Sequence, residues 1–267
     1  MPAFRAKKKL GQNFLISKEI VSKIIDQISP NSDETIIEIG PGRGALTFPL
    51  AKSGARIIAI EFDNELYRKL EMELHQYKNV ALLQQDFLKF DPAQLALKTF
   101  KLAGNLPFNI SSPVIDWIVN HHHMIIKAVI MIQKEVALRL TSSSGSKQWS
   151  PLAIFTQLYF EAAYCFNVAP SNFKPSPKVT SAVVELTPKI QTNVRHYEAF
   201  EKLVRTSFKQ RRKQLINNLV PDIISSMPTA REIIAELGLN KNVRAEEIAT
   251  AQFLELTEWL VGHNMLK

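Results

Sequence analysis

The chain has 267 residues, of which 46% are hydrophobic and 22% charged, a composition that excludes disordered, collagen-like and coiled-coil chains. One cysteine excludes a disulfide framework and a cysteine-rich zinc site, and it fits a reducing compartment. The formal net charge is +8, and the sequence carries neither a signal-peptide pattern nor an apolar run of 18 residues, so we expect a cytoplasmic protein without a membrane partner.

Up to about residue 140, short β-branched runs alternate with segments of helical spacing. Ser17 is placed to cap the first helix. Alternation of this kind indicates a doubly wound, mostly parallel α/β sheet with helices on both faces. The predicted helices are Ser17–Ile28, Ala45–Lys52, Asp63–His75, Ser112–Asn120 and Lys134–Leu140, and the predicted strands are Glu34–Ile39, Arg56–Ile60, Val80–Leu83, Phe100–Ala103 and Lys127–Ile132.

Beyond residue 140 the pattern changes in two steps. A Ser-rich loop precedes a helix over Leu152–Phe160, and two late strands over Ala163–Val168 and Ser181–Leu186 flank a segment, Pro170–Pro177, that is too rich in proline for regular structure. From residue 189 only helical patterns remain, so we predict one domain over 1–188 and a small all-α domain over 189–267. The predicted C-terminal helices are Tyr197–Val220, continuous or interrupted, Thr229–Leu237 and Thr250–Val261.

The turn after the first strand reads EIGPGRG, and Glu61 ends the second strand 21 residues after Gly40. Glycines permit a tight turn and let a ligand approach the backbone, although such a turn alone also occurs for purely structural reasons. A carboxylate at Glu61 can accept the ribose hydroxyls of an adenosine ligand. The glycine spacing differs from the G-x-G-x-x-G of NAD sites and looks like the S-adenosylmethionine pocket of Rossmann-like methyltransferases. Asp86, after the third strand, either meets the adenine of such a cofactor or caps a helix.

The motif that follows the fourth strand, Asn105-Leu106-Pro107-Phe108, suits methylation of an exocyclic adenine amine. The lone pair of that nitrogen is delocalised into the ring, so a site has to hold its two hydrogens and aim the lone pair at the methyl group. The side-chain carbonyl of Asn105 and the main-chain carbonyl of Leu106 can do so. Pro107 stiffens the turn and Phe108 offers a ring for base stacking, worth about 1–3 kcal/mol. A purely structural proline turn remains the alternative.

Positive charge is concentrated in two segments. Residues 1–18 hold five basic residues and no acid, and residues 195–215 hold seven basic residues and two acids. Local basicity of this kind favours a nucleic-acid partner over solvated surface alone. Three adjacent histidines, His121–His123, could imitate a metal cluster, but adjacent helical residues do not face one site, so we predict a solvated helix end and no metal.

Taken together, the motifs resemble the ribosomal RNA adenine N(6),N(6)-dimethyltransferases over nearly the whole chain, from about Lys8 to Leu260. Two C-terminal segments, FKQRRKQLINNL and LGLNKNVRAEEI, favour the branch that acts on small-subunit (16S) rRNA and is linked to kasugamycin sensitivity. The segments that carry the resemblance are KKKLGQNFL, IIEIGPGRGALT, AIEFD, QQDFLKF, GNLPFNISSPV, QKEVALRL, PSNFKPSPKVTSAVVEL, FKQRRKQLINNL and LGLNKNVRAEEI.

This resemblance implies transfer of methyl groups from S-adenosylmethionine to two adjacent adenosines in the 3′-terminal hairpin loop of 16S rRNA during small-subunit assembly, by a monomer. It implies cofactor contacts from Asn13, Leu15, Gly40, Glu61, Asp86 and Asn105. It implies catalytic contacts to the target base from Asn105, Leu106, Pro107 and Phe108, with Phe173 covering the other face of the flipped adenine. It implies rRNA backbone contacts from Arg205, Lys209, Arg211, Arg212 and Lys213.

The chain departs from the family pattern at two places, and three other functions stay open. Phe108 stands where the family often has tyrosine, and residues 148–153 lack the usual arginine, which puts RNA contact by that loop in doubt. The alternatives are a 23S rRNA adenine methyltransferase of the antibiotic-resistance type, a non-catalytic RNA-binding assembly factor and, more distantly, a NAD-linked dehydrogenase.

Overall fold

The computed structural model describes residues 12–190 and 194–266. The chain divides into two compact units. The first runs up to Leu138 and includes Phe160–Pro188, and the second joins Arg139–Tyr159 to the residues from Lys189 onward. Most of the N-terminal basic segment, with Arg5 and Lys7–Lys9, lies outside the described residues. Among the described residues, no helix is both long and apolar enough to cross a bilayer.

The first unit is an α/β sheet, as predicted. Its strands are β1 (Phe14–Leu15), β2 (Thr35–Ile39), β3 (Arg56–Glu61), β4 (Val80–Gln84), β5 (Phe100–Asn105), β6 (Ile125–Gln133), β7 (Phe160–Val168), β8 (Phe173–Lys174) and β9 (Ser181–Pro188), and its helices are α1 (Lys18–Ile28), α2 (Thr47–Lys52), α3 (Asn64–Leu74), α4 (Ser111–Asn120) and most of α5 (Lys134–Leu140). Seven strands form one sheet in the order β4-β3-β2-β5-β6-β9-β7. The first five run parallel, and β9 pairs antiparallel with β6 and β7.

Both faces of this sheet are buried, and consecutive residues of its strands are apolar. Ile36 and Ile57 lie in a cluster with apolar side chains of α1 and the neighbouring Leu50 of α2. The next residues along the same strands, Ile37 and Ile58, are fully buried as well, and side chains alternate between faces along a strand. Burial on both faces is the reason these strands read as continuous apolar runs and not as alternating ones.

Both ends of α1 are fixed by specific polar groups. The Ser17 hydroxyl accepts from the Ile20 N–H at 3.4 Å, which confirms the predicted cap. At the other end, Lys101 of β5 donates its Nζ to the Ser29 carbonyl at 2.7 Å and pairs with Glu34 at 2.7 Å. A cation at the C-terminal end of a helix is favourable because the carbonyls there carry partial negative charge.

The proline-rich segment contains a short strand that the sequence did not predict. Phe173 and Lys174 form β8, which pairs antiparallel with β1. The residue before a proline is restricted to extended backbone, so Lys174, ahead of Pro175, is already shaped for strand pairing. This pairing joins the proline-rich segment to Phe14 and Leu15, within the first unit.

The second unit is helical, with α6 (Pro151–Tyr159), α7 (Tyr197–Ser207), α8 (Leu215–Leu219), α9 (Met227–Glu236) and α10 (Thr250–Gly262). It includes residues 139–159, which the predicted boundary at residue 188 places in the first domain. The difference arises because α6 packs on α7 and α10, with the rings of Phe155 and Phe200 in edge contact at 6.1 Å. A boundary read from a change of pattern along the chain misses a helix that packs with later ones.

The predicted helix over Tyr197–Val220 is interrupted between α7 and α8. Asn218, which is 6% exposed, satisfies the backbone of this break. Its amide nitrogen donates to the carbonyls of Ser207 and Gln210, and its oxygen accepts from the Gln210 N–H. Buried backbone groups outside a helix need such partners.

Candidate active site

A cavity of about 320 Å³ lies at the carboxyl ends of β2, β3 and β5, within the first unit. Its volume is in the range of small-molecule sites, roughly 300–1,000 Å³. Parallel strands end at the same edge of a sheet, which is where open α/β sheets bind ligands. Among the lining residues are all six predicted cofactor contacts and the whole predicted base-binding motif: Asn13, Leu15, Gly40, Glu61, Asp86, Asn105, Leu106, Pro107 and Phe108.

The glycine-rich turn leaves open space at one wall of the cavity. Gly40 and Gly42 have φ angles of +61° and +60°, a region that favours glycine. No atom lies within 4 Å of the point where a Cβ on Gly40 would sit, so the backbone there is open to a ligand. At Gly42 a Cβ would lie 3.2 Å from the Phe14 ring, because that ring packs on the turn.

Glu61 is part of the frame of the site. Its carboxylate accepts from the Gly42 N–H at 3.0 Å and from the Asp63 N–H at 2.7 Å, so it joins the glycine turn to the start of α3. The side chain is 5% exposed, and burial raises its pKa above the ordinary range, although these two hydrogen bonds oppose the rise. Each carboxylate oxygen accepts more than one hydrogen bond, so capacity for ribose hydroxyls remains.

Glu38, two residues before the first glycine, is the most unusual acid of the site. It is 2% exposed, and its Oε2 has no hydrogen-bond partner among the described residues. Burial raises the pKa of Glu38 to about 8; the Thr47 hydroxyl opposes this rise, and the nearby charge of Glu61 adds to it. A buried acid oxygen without a partner in a cavity wall fits a ligand that brings a cationic or hydrogen-donating group, as S-adenosylmethionine does.

Asp86 follows β4, and the structure shows that it serves as a cap. Its Oδ1 accepts from the Leu88 N–H at 3.0 Å at the start of a short 3₁₀ helix, so the structural role predicted as one alternative is present. The half-buried side chain also lines the cavity, which leaves its second oxygen for a ligand. Phe87 beside it is buried and packs on Trp117 with ring centres 4.5 Å apart.

Asn105 is held by the segment that precedes α1. Its amide nitrogen donates to the Asn13 main-chain carbonyl at 2.9 Å. A carbonyl can only accept, so the nitrogen end of the amide has to face Asn13, and Oδ1 points the other way. The Leu106 N–H donates to the Met131 carbonyl at 3.0 Å, and the half-buried Phe108 lines the cavity.

Phe173 is the predicted site residue that the structure places elsewhere. It lies opposite Leu15 in the β1–β8 pair, is 4% exposed and belongs to the apolar cluster under the sheet. It is not among the residues that line the cavity. A ring packed in this cluster presents no face to the cavity, so the arrangement gives no support to the predicted cover over the adenine, which stays a prediction. The cause is the strand pairing, which the sequence did not reveal.

Three of the five predicted rRNA-binding residues have partners within the second unit. Arg205 donates to Glu201 at 2.8 Å and lies 5.1 Å over the Phe155 ring. Lys209 pairs with Asp222 at 2.5 Å. Arg212 and Lys213 are exposed, and no ion pair joins them to another described residue.

Arg211 is the third, and it acts as a clamp on the loop before α6. Its guanidinium donates to the carbonyls of Lys147 and Trp149 at 2.5 and 3.2 Å and pairs with Glu246 at 3.3 Å. Trp149 is 2% exposed, and its indole N–H donates to the Ile248 carbonyl at 2.8 Å. The unusual stretch over 148–153 therefore has a packing role.

Two of the three adjacent histidines, His121 and His122, have structural partners at the end of α4, and His123 is exposed. His121 stacks on Trp117 with ring centres 4.0 Å apart, and the Nδ1 atoms of His121 and His122 lie within 2.9 Å of helix carbonyls. Within residues 12–190 and 194–266, no group of three His, Cys, Asp or Glu side chains is arranged to hold a metal ion.

Sequence reasoning missed several residues that shape the cavity. Gln12 donates to Asp63 at 3.0 Å, and Arg43 lies 4.5 Å over the Phe14 ring. The one available signal was the position of Asp63 at the start of a predicted helix, where its Oδ1 now accepts from the Glu65 N–H at 2.9 Å. The other contacts join segments far apart in the chain.

Comparisons with known proteins show the family of the chain. A family model described as ribosomal RNA adenine dimethylase matches residues 3–261. A protein named ribosomal RNA small subunit methyltransferase A from Francisella tularensis subsp. novicida is 38% identical over 261 residues, which is 96% of this chain and 98% of the relative. Its counterpart from F. tularensis subsp. tularensis is 37% identical over the same shares.

Solved structures show the same fold over most of the chain. A dimethyladenosine transferase from Plasmodium falciparum superposes with a TM-score of 0.84 at 25% identity, covering 95% of this chain and 99% of that one. The 23S rRNA methyltransferase ErmE gives a TM-score of 0.74 at 25% identity, covering 93% and 100%. The chain therefore belongs to the ribosomal RNA adenine dimethylase family, and it is an S-adenosylmethionine-dependent rRNA adenine methyltransferase.

Proposed function

We propose that this enzyme dimethylates the exocyclic amines of two adjacent adenosines in the 3′-terminal hairpin loop of 16S rRNA during small-subunit assembly. The observation that carries the proposal is that the Asn105–Phe108 loop lines the same cavity as Gly40 and Glu61. A base-binding motif and an adenosine-binding frame thus share one site. The small-subunit assignment rests on the named relatives, which span nearly the whole chain.

In this proposal the cofactor occupies the cavity between the glycine turn and the strands that flank it. S-adenosylmethionine supplies an electrophilic methyl group on a sulfonium. Glu61 accepts from the ribose hydroxyls, Asp86 accepts from the adenine amine with its second oxygen, and the open backbone at Gly40 faces the amino-acid part. Asn13 and Leu15 close the site from the N-terminal side.

The target adenine enters from the Asn105 side, after it has left its stack in the RNA. Asn105 Oδ1 and the Leu106 carbonyl accept its two amine hydrogens, and the Phe108 ring stacks on the base. Held this way, the nitrogen presents its lone pair along the direction of transfer, and alignment with electrostatic placement supplies most of the rate enhancement. Pro107 keeps the loop rigid, because its carbonyl accepts from the Ile110 N–H at 3.1 Å.

We assign rRNA backbone contacts to the second unit. Arg212 and Lys213 are the primary contacts, since both are exposed. Arg205 and Lys209 contribute from the same segment, although each must exchange or share its acidic partner. We propose that the protein acts as a monomer in the cytoplasm, where it meets the assembling subunit.

The deciding experiment is methyl transfer from labelled S-adenosylmethionine to small ribosomal subunits that lack the modification, with large subunits as a parallel substrate. Digestion and nucleoside analysis then identify the product. Dimethyladenosine in the small subunit alone, mapped to the 3′-terminal hairpin, is the expected result. Label in the large subunit instead would assign the chain to the 23S branch that ErmE represents. No label in either, with the cofactor bound, would indicate an RNA-binding assembly factor.

A further inference from the structure

The segment that precedes α1, residues 12–16, contacts three different walls of the site and also the proline-rich segment; we call it the strap. Gln12 bonds to Asp63 at the start of α3, and the Asn13 carbonyl accepts from Asn105. The Phe14 ring packs on Gly42 under the Arg43 guanidinium. The Ile16 N–H donates to the Asn172 carbonyl at 2.8 Å.

At one end of the strap, Gln12 is tied to a chain of hydrogen bonds that runs through the frame of the site. Its amide nitrogen donates to Asp63 Oδ2 at 3.0 Å. Asp63 is 3% exposed, and its other oxygen accepts from the Glu65 N–H. The Asp63 N–H donates to Glu61, which in turn accepts from Gly42. A half-buried charge-assisted bond of this kind is among the stronger contacts available to a short segment.

The residue next to Gln12 sets the orientation of the Asn105 side chain. Rotation of that amide by 180° would bring Oδ1 against the Asn13 carbonyl, two acceptors facing each other, which is unfavourable. The strap therefore decides which end of the Asn105 amide faces the cavity. Asn13 orients the Asn105 amide through its main-chain carbonyl. The orientation therefore depends on the position of the Asn13 backbone and not on the Asn13 side chain.

We propose that Gln12 is a positioning residue: its bond to Asp63 holds the strap so that the Asn13 carbonyl fixes the Asn105 amide with Oδ1 toward the target amine. The inference rests on the proposed function in assigning Oδ1 to the amine. Gln12 also lines the cavity, but in this role it acts through Asp63 and the Asn13 backbone. We call the hydrogen bond between Gln12 and Asp63 the clasp. Displacement of a positioned group by about 1 Å can lower a rate by as much as 100-fold, so loss of the clasp should reduce kcat.

The test exchanges the hydrogen-bond donor and acceptor between positions 12 and 63. Gln12→Glu places a carboxylate against Asp63 and should release the strap. Adding Asp63→Asn restores a donor and an acceptor in opposite order, and its Oδ1 still accepts from the Glu65 N–H, so the α3 cap is kept. Gln94→Glu, the same change at an exposed position outside the cavity, is the matched control.

Two measurements are made on each variant and on the double variant. Hydrogen exchange over residues 12–16 reports release of the strap without reference to any substrate. Methyl transfer at saturating cofactor and rRNA reports kcat. We expect Q12E to speed exchange and to lower kcat by roughly ten-fold or more, and we expect Q12E/D63N to recover to within about three-fold of the wild type.

Two results would overturn the inference: exchange and kcat in Q12E equal to those of Q94E, or a loss that D63N does not relieve. Recovery in the double variant also separates positioning from misfolding, because a merely destabilised protein would lose further activity on a second change. If the wild type methylates no rRNA, the proposed function fails, while the exchange data still decide whether the clasp exists.

Discussion

At the scale of single residues, the cavity works through side chains whose orientation is set by main-chain groups. Glu61 is held by two N–H donors, and Asn105 is held by one carbonyl. Residues held in this way lose little further freedom when a ligand binds, which favours binding and catalysis alike. The chemistry expected of Asn105 and the state of Glu38 can each be tested by one substitution.

Replacing Asn105 with alanine should lower methyl transfer by roughly 100-fold or more, as expected for loss of one positioned hydrogen-bonding group. Binding to rRNA should stay within a few-fold of the wild type, because the rRNA backbone contacts that we propose lie in the second unit. Single-turnover transfer and filter binding measure the two quantities. Asn120→Ala, at the exposed end of α4, is the control. An equal fall in binding and activity would remove Asn105 from the chemistry.

Glu38 should make the stability of the protein without ligand depend on pH. The folded pKa of about 8 lies above the ordinary 4.5, so the folded state holds a proton that the unfolded state has already released between these values. The free energy of unfolding therefore falls as pH rises from 5 to 8. Glu38→Gln removes this term, so its stability relative to the wild type should increase by about 3 kcal/mol over that interval, at 1.36 kcal/mol per pKa unit.

Denaturant melts of both proteins at pH 5 and pH 8 give this difference directly. Because the effect is the change between two pH values, any packing cost of the amide cancels. A difference that stays constant with pH would mean that Glu38 is ionised in the folded protein and has a partner there.

At the scale of elements, the site depends on how closely β2 and β5 approach. Gly104 sits in β5 beside Ile39, and a Cβ there would lie 2.9 Å from the Ile39 carbonyl oxygen and 3.1 Å from the Ile39 Cβ. The backbone cannot move aside as a flexible side chain can, so only glycine at position 104 lets β2 and β5 lie this close. Their close packing places Asn105 and the glycine-rich turn after β2 at the same edge of the sheet.

Gly104→Ala should therefore destabilise the protein by about 1–3 kcal/mol, the usual range for overpacking. Gly262→Ala is the matched control, since a Cβ there meets nothing within 4 Å and the residue ends helix α10. That change should be neutral or stabilising by up to about 1 kcal/mol. Thermal melts compare the two. Equal stability of both variants would show that β2 and β5 can separate without cost.

At the scale of the whole molecule, a net charge of +8 says little about which cations are available to a partner. In the segment 205–213, three basic residues already engage acids or carbonyls of their own unit. Arg211 holds the loop before α6, whereas its neighbours Arg212 and Lys213 are exposed. We therefore expect them to have different roles. This distinction can be measured by salt dependence.

Replacing Arg212 and Lys213 together with alanine should weaken rRNA binding and lower the slope of log K against log salt by about 2, roughly 1 for each phosphate that the protein no longer neutralises. Stability should be unchanged. Arg211→Ala should instead reduce the free energy of unfolding by about 1–2 kcal/mol, because carbonyls of the 147–149 loop lose their donor. An unchanged slope in the double variant would place the RNA surface elsewhere.

Much of the protein follows from local pattern. The β-branched runs, the Ser17 cap and the alternation of strands and helices predicted the sheet, and the fold class and family are confirmed. Local pattern also predicted which residue types serve the cofactor, because the glycine turn and the acids at strand ends are short-range signals. Their roles in binding stay predictions, although the sheet brings all of them to one cavity.

The tertiary structure alone decided the contacts between distant segments. Gln12 meets Asp63 across 51 residues, and Asn13 meets Asn105 across 92. Phe173 turned inward because β8 pairs with β1, and α6 joined the helical unit because its apolar face packs on later helices. Periodicity and composition report how each segment buries its own surface. They carry no information on which distant partner completes the burial, and that choice is made only when the whole chain packs.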